Sequence, residues 1–181
     1  MADKKIIGAE EWCELPGLGI PRIKVRVDSG AKTSSLHAFN IQTFHKDGKK
    51  WVSFEVNPIQ NDRRTIIRCE APVFDRREVK SSTGISETRY FIKATIRLGN
   101  NQWDVDISLS NRHSMGFRML LGREAMVGRF IVDPEEQFMF GDISESELMK
   151  LYGKIQSNSD GLHIGLLASN QSLYSNKRII E

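Results

Sequence analysis

Asp28 closes a short alternating run, Ile23-Lys24-Val25-Arg26-Val27-Asp28, and is followed by the small residues Ser29, Gly30 and Ala31. Ile23, Val25 and Val27 share one face of the predicted strand and Lys24 and Arg26 the other, so the period of two delivers Asp28 to the strand's end. A carboxylate at that place is positioned for general acid and base work on a substrate lying across the strand end. Gly30 has no Cβ, and the Ser29 hydroxyl can hydrogen-bond across a gap, so a second backbone can come close. The same triplet is also ordinary turn chemistry, and both readings stand on these residues alone.

A second segment, Met119-Leu120-Leu121-Gly122-Arg123, reads as a short apolar strand ending in glycine, with Glu124-Ala125-Met126 able to open a helical turn. Asp28-Ser29-Gly30-Ala31 resembles the Asp-Ser/Thr-Gly signature of aspartic peptidases. Together with Leu121, Gly122 and Arg123 as supporting residues, it resembles the retroviral type, whose second hallmark is an apolar-apolar-Gly-Arg step beside the aspartate loop. The longer segments from Val27 to Ala38 and from Phe117 to Arg123 look like one bacterial branch of that superfamily. Its members are labelled ATP-dependent zinc proteases and are associated with the RimK-type glutamate ligase. The resemblance covers about residues 4 to 145.

The resemblance implies a mainly β, retropepsin-like closed barrel with a short helix and a C-terminal helix. It also implies an aspartic endopeptidase-like hydrolase with Asp28 as catalytic residue and Ser29, Gly30 and Ala31 as its loop. Such an enzyme needs two carboxylates about 3 Å apart sharing one proton. There is one such loop per chain, since Ser82-Thr83-Gly84 lacks the acid, and a twofold homodimer supplying Asp28 twice is the economical solution. Lys32 and Thr33 stand where retroviral enzymes carry acids, so Arg123 must find another carboxylate or the dimer must be built differently. The substrate implied is a glutamate-extended ribosomal protein tail, an acidic peptide. A non-catalytic peptide-binding or regulatory module for a RimK-type ligase is the rival reading, and a metal-dependent hydrolase the third.

The elements that must hold Asp28 are strands. Alternation is expected to run from Leu36 to Phe44, turn at His45 to Lys50, and return through Trp51 to Val56 as a hairpin. A short strand at Thr65 to Cys69 before Pro72 should be separate from Arg76 to Lys80. That second run and Arg89 to Leu98 flank Ser81 to Ser86, a polar tip with Ser82, Thr83 and Gly84 that suits either a flap over a peptide cleft or a plain surface hairpin. Asp104 and Asp106 read as the polar face of the strand carrying Trp103, Val105 and Ile107, not as a catalytic pair. Phe130 to Phe140 reads as a last hairpin around Asp133-Pro134.

Ser144 and Glu147 have capping-box spacing, and Leu148, Leu151, Tyr152 and Ile155 keep helical period. The peptidase-like domain is thus placed at 1–156, a linker at 157–161, and at 162–181 an apolar strand that resembles the truncated start of a RimK-type ATP-grasp ligase, with a docking tail as the alternative.

A chain of 181 residues is large enough for a real core, and neither its formal charge of +3 nor any aromatic-basic motif argues strongly for nucleic acid, so no direct nucleic-acid partner is expected. No segment approaches the roughly eighteen apolar residues of a membrane span, and no apolar signal core follows the first residues, so the expected place is the cytoplasm. Cys13 and Cys69 read as free thiols. Arginines cluster at Arg63-Arg64, at Arg76-Arg77 and along Arg112, Arg118, Arg123 and Arg129; interleaved acids make each cluster read as solvated surface, though such groups would suit an acidic peptide. His37, His45, His113 and His163 stand singly, without His-Glu-x-x-His, and no phosphate-binding loop is present, so neither metal nor cofactor is expected. His37 is the one to watch, on the segment leaving the Asp28 loop.

Overall fold

The computed structural model describes residues 4–80, 84–111 and 116–158. Eleven strands dominate: β1 Lys5–Ile7, β2 Glu10–Leu15, β3 Ile20–Asp28, β4 Ser34–His37, β5 Phe39–Lys46, β6 Lys49–Val56, β7 Ile67–Lys80, β8 Ser86–Leu98, β9 Asn101–Ser110, β10 Met119–Gly122 and β11 Phe130–Val132. Two helices accompany them, α1 Arg123–Met126 and α2 Glu145–Asn158. The mainly β expectation with a short helix and a C-terminal helix holds.

Nine strands form one sheet in the order β2-β3-β10-β4-β9-β8-β7-β6-β5, and β2 also reaches β8 through Glu14 and Arg97, so the first six close into a ring. The Glu14 carboxylate fastens that seam, taking Arg22 Nη1 at 2.6 Å from β3 and Arg97 Nη1 at 2.8 Å from β8. Inward positions follow the period of two: Ile23 and Val25 on β3, Ile96 and Leu98 on β8, Ile107 on β9 and Leu121 on β10 are fully buried. Cys13 and Cys69 are free thiols in this core, where burial pushes the Cys69 thiol up to about 12 and Cys13 higher still. Neither is suited to redox or nucleophilic chemistry.

β10 lies between two strands of opposite direction, parallel to β3 and antiparallel to β4. Its last residue, Gly122, stands opposite Asp28 and presses on the backbone between Thr33 and Ser34. A Cβ there would sit 2.5 Å from the Thr33 carbonyl carbon, so only glycine fits.

Three expectations change in detail. The run from Leu36 to Phe44 breaks at Ala38: the Ala38 amide bonds to the Ser110 carbonyl, Asn40 takes φ 51°, and β5 leaves the ring to pair with β6. The β5–β6 hairpin then turns on Asp47 and Gly48, both with positive φ, as a tight right-twisted hairpin requires. Second, β7 runs unbroken through Pro72. It pairs with β6 as far as Pro72 and with β8 from Val73 onward, with an irregularity between Val73 and Asp75, so the proline falls where the strand changes partners.

Third, Phe130 to Phe140 is no hairpin. β11 pairs in parallel with β1, and the turn at Asp133 is made by its own carboxylate and carbonyl, which accept the amides of Glu135 and Glu136. The chain beyond the turn is captured by β2 instead: the Phe138 amide bonds to the Glu10 carbonyl at 2.8 Å. Glu11, fully buried, accepts the amides of Gly8 at 2.8 Å, Met139 at 3.1 Å and Phe140 at 3.4 Å, stitching the N-terminal bend to this segment.

At α2 the capping box forms as its spacing implies, with the Glu147 amide bonding to Ser144 Oγ and the Ser144 amide to Glu147 Oε2. Leu148 and Tyr152 pack inward, and the Tyr152 hydroxyl donates to the Arg22 carbonyl. The helix runs to Asn158, so Ser157 and Asn158 belong to it rather than to a linker, and the tail from Leu162 to Glu181 lies outside the described residues. Among the described residues no helix is long and apolar enough to cross a membrane.

Replacing Glu11 with alanine leaves the buried Gly8 amide and the part-buried Met139 and Phe140 amides without this acceptor and should lower stability by roughly 1–3 kcal/mol, the cost of a buried donor left unmade. Denaturant unfolding checks this, and a loss under about 1 kcal/mol would show that water replaces the carboxylate at no great cost. Gly122→Ala forces the Asp28 loop off β10 and should cost roughly 1–3 kcal/mol by the same measurement; an unchanged midpoint would contradict the close approach.

Candidate active site

The Asp28 loop is held from three sides. Within it, Asp28 Oδ1 accepts the amides of Gly30 at 3.0 Å and Ala31 at 3.1 Å, so the turn chemistry of the triplet is real and fixes the carboxylate at the end of β3. From β10, the Gly122 amide donates to Ser34 Oγ at 3.0 Å. From the start of α1, the amides of Arg123 and Glu124 bond to the carbonyls of Ala31 at 2.8 Å and Lys32 at 3.0 Å. Ser108 Oγ donates to the Ser34 carbonyl at 3.2 Å, and the hydroxyls of Ser35 and Ser110 lie 2.8 Å apart beneath.

The charge question left by Lys32 resolves locally. Arg123 Nη1 donates to the Ser29 carbonyl at 2.9 Å, gripping the loop's backbone rather than a carboxylate. Lys32 Nζ faces Glu124 Oε1 at 3.6 Å, and Thr33 Oγ1 reaches the other oxygen of Glu124 at 3.5 Å. An acid one residue past Arg123 thus does for Lys32 what an acid in the loop would do for an arginine. Of the other supporting residues, Leu121 is fully buried beside Val27 and Gly122 is Asp28's partner across the ladder.

Asp28 opens on a cleft of about 640 Å³. Its floor is Gly30, Ala31, Ser35, Ser108, Phe91 and Leu120; its opposite wall is the β7–β8 hairpin, through Arg77, Glu78, Val79, Lys80 and Arg89. The hairpin whose connecting segment was expected as a flap or a plain surface turn lines the cleft together with Asp28. Gly84, at its tip, is exposed with φ 84°, and Ser82 and Thr83 lie outside the described residues. Four basic side chains, Lys32, Arg77, Lys80 and Arg89, line the cleft against two acidic ones, Asp28 and Glu78. Arg77 lies over the Phe91 ring at 4.0 Å and pairs with Asp75 at 3.0 Å, which fixes its guanidinium at the cleft wall.

The sequence reading did not single out Leu120, Ser35, Ser108, Arg77, Lys80 or Arg89 as site residues. Parity along β10 would have given Leu120, which must face away from the side that buries Met119 and Leu121. No local pattern announces the serines, because β4 meets β9 only across a long sequence separation.

His37 is buried and stacks on Phe39 with ring centres 5.8 Å apart. Among the described residues no three His, Cys, Asp or Glu side chains gather closely enough to hold a metal ion; His113 and His163 lie outside them. Asp104 and Asp106 serve the sheet face, taking Thr95 Oγ1 at 2.7 Å and Lys93 Nζ at 2.9 Å.

Comparison with known proteins agrees with this geometry. A protein of unknown function from Legionella pneumophila, Lpg0085, has a crystal structure that superposes with a TM-score of 0.64 at 26% identity, over 76% of this chain and 99% of that one. A protein of Desulfotalea psychrophila named "Probable alpha-L-glutamate ligase" is 58% identical over 98% of this chain, and one of the same name from Shewanella pealeana is 58% identical over all of it. The chain spans 38% and 40% of the lengths of these two relatives. A family model described as the retropepsin-like aspartic endopeptidase RimB matches residues 6–142, the stretch that holds the Asp28 loop, the cleft and its hairpin wall. The chain belongs to this RimB-like family of retropepsin-like aspartic endopeptidases.

Proposed function

We propose that the chain is an aspartic endopeptidase-like hydrolase in which Asp28 from each of two copies forms the catalytic pair. The observation that carries this is the placement of Asp28 at the base of a cleft large enough for an extended peptide, facing the β7–β8 hairpin. One carboxylate of the pair is protonated and its twin is not, because like charges about 3 Å apart cannot both ionise. The unprotonated Asp28 takes a proton from water as the water oxygen bonds to the scissile carbonyl carbon. The protonated one gives its proton to the carbonyl oxygen, and collapse of the tetrahedral species breaks the C–N bond and returns a proton to the amine. The small residues Gly30 and Ala31 leave room for the second loop at the axis.

The cationic lining supports an acidic peptide as substrate, and relatives named for glutamate ligation support a role beside a RimK-type ligase, with glutamate-extended protein tails as the class cleaved. A second reading, a peptide-binding or regulatory module that does not cut, draws on the single acid loop per chain: one copy alone holds half a site.

Asp28→Asn keeps the loop's shape and removes the shareable proton, so cleavage of an oligo-glutamate peptide should fall roughly 10²–10⁴-fold with the fold intact, while a chelator leaves the unmodified chain's rate alone. Full activity in the folded, purified variant would end the carboxylate mechanism, and loss to a chelator restored by zinc would replace it with a metal one. Activity per subunit should rise with protein concentration through the dimerisation range, as followed by sedimentation alongside the assay. A fully active monomer would refute the shared pair.

A further inference from the structure

The ladder around β4 carries a second row on the sheet face that forms the cleft floor. Leu120 pairs with Ser35, and Ser35 with Ser108, and all three line the cleft. Two residues along each strand lie Arg118, His37 and Ser110: the His37 amide bonds to the Arg118 carbonyl at 2.7 Å, and His37 pairs with Ser110. Residues two apart on a strand share a face, so this second row lies on the same side of the sheet about 7 Å farther along, buried beside the cleft and not among the residues that line it.

Arg118 is the anomaly in that row. Only 6% of it is exposed, its Nε has no hydrogen-bond partner, and among the described residues no carboxylate pairs with it. The neighbouring charge is of the same sign: burial, and after it the Arg63 guanidinium, disfavours the Arg118 cation. Arg63 sits in the loop between β6 and β7, whose backbone Asn57 Nδ2 holds by the carbonyls of Arg63 at 3.2 Å and Thr65 at 3.0 Å, and which Gln60 ties to the Gly116 carbonyl. The loop's one acid, Asp62, is spent on the amides of Arg64 and Thr65 and on the Thr65 hydroxyl. A guanidinium without a counter-charge in a buried place costs stability and is repaired by an anion of matching fork geometry.

We infer that Arg118 is the receptor for a carboxylate side chain of the bound peptide, and so a specificity-determining residue one row beyond Asp28's immediate floor. This rests on the reading of the cleft as a peptide site and names the group that selects glutamate over its neutral isostere. A glutamate carboxylate supplies the two oxygens that a guanidinium fork takes; a glutamine amide, with one acceptor and an opposing donor, does not. A site built around a buried charged group rejects the ligand that leaves it unpaired far more strongly than a surface charge would.

The test uses full-length chain carrying Asp28→Asn, so that binding is measured without cutting, and two probes of equal length, hexaglutamate and hexaglutamine. Arg118→Met added to that chain should weaken hexaglutamate binding at least tenfold by calorimetry, leave hexaglutamine unchanged, and melt at the same temperature or higher, since an unpaired buried charge has been removed. Arg64→Gln, on the same loop but with 92% of its side chain exposed, should leave both affinities alone. Equal hexaglutamate affinity with and without Arg118, equal losses for both peptides, or no binding of hexaglutamate to the parent chain would each overturn the inference. Should the methionine variant not fold, Arg118→Lys keeps the charge and breaks the fork: it should shrink the glutamate preference, and an unaltered preference would overturn the proposal. A chain that binds hexaglutamate through Arg118 yet never cleaves it would retire the peptidase reading and leave this one standing.

Discussion

The whole site depends on one backbone against another: Gly122, at the end of β10, lying flat on the peptide between Thr33 and Ser34. Because nothing projects from that glycine, β10 can lie between β3 and β4, and its amide can reach Ser34 Oγ at 3.0 Å. From this come the register that sets Asp28 opposite Gly122, the entry of α1 with its amides on the loop carbonyls, and the direction in which Leu120 faces the cleft. Side-chain packing fills the ring, but the placement of the carboxylate is a matter of main chain fixed by main chain. That is the more rigid of the two arrangements, since a peptide plane has no rotamers to explore.

Charge is arranged around the loop by exchange rather than by addition. Arg123 holds a carbonyl, Lys32 holds Glu124, and the acid that might have sat in the loop sits at the start of the helix instead. The exposed Lys32–Glu124 pair contributes little to stability by itself. It engages Lys32 beside the loop, while Arg77, Lys80 and Arg89 on the hairpin wall give the cleft its surplus of positive charge.

How much of this was legible depended on the range of the signal. Local pattern was enough for β3 and its terminal aspartate, for the β5–β6 hairpin with its Asp47-Gly48 turn, for the paired strands that β7 and β8 contribute beside the cleft and for the Ser144–Glu147 cap. It failed where a neighbour far along the chain decided. Phe130 to Phe140 looks like a hairpin because its turn is genuine, but Glu10 and Glu11 compete for its amides and win. Pro72 looks like a strand breaker because a proline cannot donate, yet β7 changes partners at that residue. At the site, Asp28 and its loop were readable from composition and order, whereas Ser35, Ser108 and Arg118 share a face only through the β10-β4-β9 ladder, which no local window reveals.

β7 belongs to two structures at once. Its first half is bound to the outer β6 and its second half to β8, the other arm of the hairpin over Asp28, with the bulged stretch after Pro72 as the changeover. An irregularity of this kind bends a strand, so the outer hairpin and the cleft wall are the two ends of one element that turns near residue 73. β5 ends the nine-stranded sheet among the described residues, and from it the ladder runs through β6 to β7 and along β7 to the Arg77–Lys80 wall. The outer hairpin and the cleft wall thus share one strand, and a substitution in the stretch from Pro72 to Asp75 bears on both at once.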